Sequence, residues 1–144
     1  MSSTDHARVP WQPARVLAVD DHPRFLELLC ELLDAAGELE PVGHASSGEA
    51  AIQAAGDLAP DLVVMDVRMP GLSGPEAARQ IKASRPSTVV ILISSTHPDE
   101  LGISADGSTA DAVVCKSELA PRLLDHLWRL HRGRISGAGD PPAG

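Results

Sequence analysis

Asp61–Gly74 reads DLVVMDVRMPGLSG. Leu62 to Met65 form an unbroken apolar run rather than an alternating one, the pattern of a strand covered on both faces. Asp66 closes the run, and Met69-Pro70-Gly71 turns the chain ahead of a helical stretch from Pro75 to Ala83. A strand, a carboxylate at its carboxyl end, a tight turn and a helix make one unit of a parallel α/β sheet.

The same unit recurs on both sides. Apolar runs predict strands at Arg15–Asp20 (RVLAVD), Glu40–Ala45 (EPVGHA), Asp61–Asp66 (DLVVMD), Thr88–Ile93 (TVVILI) and Ala112–Lys116 (AVVCK). Helical patterns fill the gaps. Phe25, Leu28, Leu29, Leu32, Leu33 and Ala36 share one face, with Pro23 at the first helical position and Gly37 at the stop. Ser47–Ala55 reads as a second helix, and Pro121–Arg132 as the last, with Leu123, Leu124, Leu127 and Leu130 inward and Gly133 at its end. Asp99–Ala110 (DELGISADGSTA) occupies the remaining helical place, but Gly102 and Gly107 each cost about 0.8–1 kcal/mol there, so this fourth helix is expected short or irregular. The fold class is therefore α/β, a five-stranded, doubly wound parallel sheet. Residues 1–14 and 133–144 lack periodicity and read as flexible tails around a domain at 15–132.

Composition narrows the function. A chain of 144 residues makes one domain, and with aromatics at 2% (Trp11, Phe25 and Trp128) its core has to be aliphatic. The net charge of −8 argues against direct nucleic-acid binding, which needs a basic surface. Cys30 and Cys115 have no metal-ligand spacing and read as reduced thiols. Neither a signal peptide nor a membrane span is visible, which makes the expected location cytoplasmic, away from the membrane.

In an open α/β sheet, chemistry gathers at the carboxyl ends of the strands. Those ends carry Asp20 and Asp21, Asp66, Ser94 and Lys116. Carboxylates converging on one crevice repel unless a cation neutralises them, and an all-oxygen donor set suits Mg²⁺. With a lysine ammonium and a hydroxyl alongside, the set fits attack by Asp66 on a phosphoryl group whose charge spreads over its oxygens. Each residue also has an ordinary reading alone. Asp20-Asp21 suits a helix N-terminus, Asp66 a turn, and Lys116 and Ser94 simple strand ends. His22 reads as a helix start, and His44 and His97 have no ligand-spaced companions.

The stretches VDDHPRF (Val19–Phe25), VVMDVRMPGLSG (Val63–Gly74), VVILISS (Val89–Ser95) and AVVCK (Ala112–Lys116) resemble the receiver domain of bacterial two-component response regulators, over about residues 15–132. DDHP, and spacings of 46, 28 and 22 along Asp20–Asp66–Ser94–Lys116, are similar to regulators of the LuxR type. The resemblance implies a flavodoxin-like sheet of strand order 2-1-3-4-5, with Asp66 as phosphoacceptor. It implies Asp21 and Asp66 as Mg²⁺ ligands, Asp20 assisting, and the backbone carbonyl of Arg68 as a further ligand. Lys116 then binds the phosphoryl group, Ser94 is the switch hydroxyl, and Pro70 and Gly74 shape the loop after the third strand. The implied partners are a histidine kinase or phosphotransfer protein upstream and an unknown protein downstream. Only one helix and a tail follow Lys116, too little for a DNA-binding module, so the chain is expected to act without an output domain of its own.

Two positions depart from the family's pattern. Val113 stands where receivers usually carry an aromatic switch, and Ser117 where they usually carry Pro or Asp. This altered output face leaves a phosphorylation-independent interaction module as the alternative. It also suggests that phosphorylation would signal by ordering Asp99–Ala110. An aspartyl-phosphate phosphatase of the haloacid-dehalogenase type is disfavoured, because Arg68 stands where those enzymes place an acid.

Overall fold

The computed structural model describes residues 12–96 and 110–136. Strands β1 (Ala14–Val19), β2 (Leu39–Ala45), β3 (Leu62–Asp66), β4 (Val89–Ser94) and β5 (Ala112–Cys115) form one sheet. Their order is β2-β1-β3-β4-β5 and every pairing is parallel. Helices α1 (Pro23–Ala35), α2 (Gly48–Leu58), α3 (Gly74–Ser84) and α4 (Pro121–Ser136) complete the flavodoxin-like fold. The helix expected over Asp99–Ala110, the ordering suggested for that segment, and most of both expected tails lie outside the described residues.

Alternation along each strand divides the core in two. Val16 and Ala18 of β1, Leu62 and Val64 of β3, and Ile91 and Ile93 of β4 pack against Leu29 and Leu33 of α1 and against Leu124 and Trp128 of α4. Leu17, Val19, Val63, Met65, Val90 and Leu92 point the other way, onto Ala51 and Ala55 of α2 and Ala77, Ala78 and Ile81 of α3. Strands β3 and β4 are buried along their whole length, as their continuous apolar runs predict.

Local chemistry sets the helix starts. Ser47 Oγ accepts the Ala50 N–H at 3.0 Å, and Ser73 Oγ accepts the Glu76 N–H at 3.3 Å, so each serine caps its helix. Helix α1 instead begins with Pro23 after His22. Its far end is held across the molecule: the Asp125 carboxylate of α4 accepts the N–H groups of Gly37 at 2.9 Å and Glu38 at 2.8 Å.

Two predicted core leucines are exposed. Leu28 is 44% and Leu130 50% exposed. Both sit at the edge of their helix's apolar stripe, where a small rotation decides between core and solvent. Trp128 and His131 take the inward positions instead. Helix α4 also continues through Gly133 to Ser136, past its expected stop.

Gly74 fixes the turn beneath Asp66. A Cβ at this position would lie 2.3 Å from the Asp66 carbonyl oxygen and 2.9 Å from the Val67 Cα. Both are backbone atoms and cannot swing aside. Gly74→Ala is expected to destabilise the fold by about 3 kcal/mol, read by urea unfolding. An unchanged midpoint would show that the turn relaxes freely.

Candidate functional site

The parallel sheet brings the predicted residues to one edge. Asp20 and Asp21 follow β1, Asp66 ends the adjacent β3, Ser94 ends β4, and Lys116 follows β5. The ladders keep these ends level: Val19 pairs with Met65, Asp66 with Ile93, and Ser94 with Cys115.

Asp20 is wholly buried. Its Oδ1 accepts the His22 backbone N–H at 2.8 Å, and its Oδ2 lies 2.7 Å from Lys116 Nζ. The same ammonium is 3.7 Å from Asp66 Oδ2, with the Lys116 side chain 13% exposed. Lys116 is thus shared between two carboxylates and leans toward Asp20. Burial, and then the negative charge of Asp20, push the Asp66 carboxyl above its ordinary value, although Lys116 and the Arg68 backbone N–H act to lower it. Arg68 therefore faces Asp66 with a donor; the carbonyl role implied for it concerns the opposite end of the same residue.

Asp21 Oδ1 is buried and has no hydrogen-bond partner. Ligand atoms of Asp20, Asp21, His22 and Asp66 all fall within 4.8 Å of one another. A buried carboxylate oxygen that accepts no hydrogen bond and has only the His22 imidazole beside it, among acidic groups that outnumber the adjacent lysine, is what a divalent cation would satisfy, and the oxygen donors match Mg²⁺. Receiver domains typically bind Mg²⁺ at such an acidic pocket, and these residues fit it.

Ser94 is 3% exposed, and its Oγ accepts the Thr96 N–H at 3.0 Å. Val113 is half-buried and packs toward the α2–α3 side of the core. Ser117 Oγ lies 3.2 Å from Cys115 Sγ, and both Cys30 and Cys115 are free thiols. No described helix is long and apolar enough to cross a membrane.

The structure adds two residues to the site. His22 places Nδ1 3.2 Å from Asp20 Oδ1 and 3.3 Å from Asp21 Oδ1. Phe25 places its ring centroid 4.1 Å from Lys116 Nζ. The contiguous Asp20-Asp21-His22 run was the available signal for the first; nothing local to Phe25 signals the second.

Residues 16–127 match the response regulator receiver domain family. The chain belongs to it. The nitrate/nitrite response regulator protein NarL of Escherichia coli is 31% identical over 86% of this chain, and the response regulator protein VraR of Staphylococcus aureus 33% identical over 83%. The chain spans 57% of the length of each. The signal receiver domain of the putative regulator NarL from Mycobacterium tuberculosis superposes with a TM-score of 0.72 at 27% identity, covering 88% of this receiver and 98% of that one.

Crowded carboxylates cost the metal-free receiver stability. Asp66→Asn is expected to raise its melting temperature in EDTA by a few degrees at neutral pH. The gain should shrink on acidification. A carboxyl whose folded-state titration lies above the unfolded one favours the fold when protonated, and that advantage is lost as pH rises. Circular-dichroism melts at several pH values check this, and a lower melting temperature for the variant would contradict it. Mg²⁺ is expected to raise the melting temperature of the unsubstituted receiver and to leave that of Asp21→Ala unchanged.

Proposed function

We propose that this receiver accepts a phosphoryl group on Asp66 from a histidine kinase or phosphotransfer protein and passes the resulting change to a protein partner. One observation carries the reading: Asp66 closes the central strand, 7% exposed, with the Lys116 ammonium 3.7 Å away and Asp20 and Asp21 beside it. In the transfer, an Asp66 carboxylate oxygen attacks phosphorus. The bond from phosphorus to the donor nitrogen breaks, and its electron pair stays on the donor imidazole. Asp21 and Asp66, with Asp20 assisting and the Arg68 carbonyl, would hold Mg²⁺. The ion would neutralise charge on the phosphoryl oxygens.

Lys116 supplies the protein's own positive charge. Its ammonium has three N–H donors, so it can leave the Asp20 contact for a phosphoryl oxygen without a large side-chain movement. Ser94, at the end of the adjacent strand, offers a hydroxyl to a second oxygen, since accepting the Thr96 N–H leaves its own O–H free to donate. The chemistry amounts to self-phosphorylation from a donor and slow loss of the phosphoryl group, not turnover of a substrate. The cytoplasm, where kinases and Mg²⁺ are available, is the compartment this role requires.

Incubation with acetyl phosphate and Mg²⁺ is expected to add one phosphoryl group, labile to base and mapped to Asp66 by mass spectrometry. Asp66→Asn should remove it, because an acyl phosphate needs a carboxylate. A receiver that stays unlabelled would leave the phosphorylation-independent interaction module as the better reading. Label on Ser94 or Ser95 would overturn the nucleophile assignment.

A further inference from the structure

Phe25 is the chain's one phenylalanine, and its ring lies against the site's lysine. The Lys116 ammonium stands 4.1 Å from the ring centroid, well inside the range where an aromatic face attracts a cation. With the Lys116 side chain only 13% exposed, water has little share in solvating that charge. The ammonium therefore rests on Asp20 at 2.7 Å, Asp66 at 3.7 Å and the ring.

We propose that Phe25 is a positioning residue for Lys116, holding its ammonium within reach of Asp66 for phosphoryl transfer; this rests on the phosphoacceptor role proposed for Asp66. The two kinds of contact differ in a way that suits such a task. A carboxylate holds an ammonium through a directed hydrogen bond and spends an N–H on it. A ring face attracts the positive charge through its quadrupole and claims no particular N–H. The ammonium can then turn its donors from Asp20 to an incoming phosphoryl oxygen while the ring keeps it in place. Without the ring, only the two carboxylates hold the ammonium, and the shorter contact favours Asp20 over Asp66.

Phe25 is well placed to act as a fixed support. It lies in the first turn of α1 and packs against the core cluster that contains Leu29 and Leu33. The ring's position is thus tied to the core and not to the loops of the site.

A single phenylalanine permits a clean test, since replacing all phenylalanine in the growth medium by fluorinated analogues changes position 25 alone. Fluorination drains the ring's negative face while nearly preserving its shape. Across the phenylalanine, monofluoro, difluoro and trifluoro proteins, the rate constant for labelling by acetyl phosphate is expected to fall stepwise, by about tenfold in all. Phe25→Trp should label at close to the original rate, whereas Phe25→Leu and Phe25→Met, apolar but without a ring, should be slowed about as much as the trifluoro protein. In a Lys116→Ala background the fluorine series should be flat, because the ring acts through the lysine. A flat series with Lys116 present, or an equal decline without it, overturns the proposal. If the unsubstituted receiver takes no label, the phosphoacceptor reading fails. The ring–lysine contact is then judged by ¹⁹F NMR of the monofluoro protein: an unmoved resonance on Lys116→Ala shows there is no contact for Phe25 to act through.

Discussion

The Lys116 ammonium, 2.7 Å from one Asp20 oxygen and 3.7 Å from an Asp66 oxygen, is the contact around which the carboxyl edge of the sheet is organised. Parallel pairing makes it possible. Every strand of such a sheet delivers its carboxyl end to the same side, so residues at 20, 66, 94 and 116 come to one edge however far apart they lie in sequence, and the long Lys116 side chain reaches across from the end of β5. The result is a crevice with more negative charge than Lys116 can balance, with Asp20 and Asp66 buried away from the water that would screen them. Such a cluster is a cost to folding. The fold tolerates it because β3 and β4, buried along their length, and the helix faces on either side contribute hydrophobic stabilisation of much larger magnitude.

Helix α1 links that crevice to the rest of the molecule. At its start His22 donates its backbone N–H to Asp20, and one turn on Phe25 meets Lys116. In its middle Leu29 and Leu33 are wholly buried. Beyond its end the Gly37 and Glu38 N–H groups are held by Asp125 of α4, and Glu38 also pairs with Arg129. Lys116 thus touches a helix held at both ends, and α4 makes the hold at the far one.

The strand pattern and the turn after Asp66 were legible because they depend on local composition. Unbroken apolar runs mean two-sided burial, and Asp66, Pro70 and Gly74 announce a strand end and a turn. The convergence of Asp20, Asp21, Asp66 and Lys116 followed from topology once the strands were recognised. Leu28 and Leu130 were misplaced because periodicity gives the direction of an apolar stripe but not its edges. The helix starting at Pro121 outlasts Gly133, since one glycine costs only about 1 kcal/mol against the turns around it. The Phe25–Lys116 contact was invisible for a different reason. It joins the first turn of α1 to the strand most distant in sequence, and no pattern local to either residue encodes how α1 is rotated against β5.

Val113 bears on how a change in the crevice can travel. An aromatic at this position could exchange one packed orientation for another, and the bulk it moves would be the signal. Valine has no such option: its branched Cβ restricts it to one favoured rotamer, and it has little volume to displace. Ser94 pairs with Cys115, the residue before Lys116, so under the proposed reaction a movement of the serine would pull on the strand that carries the lysine. Lys116 in turn bears on Phe25. Ladder and ring thus make a continuous path from the end of β4 to the first turn of α1, and it needs no aromatic rotation at position 113.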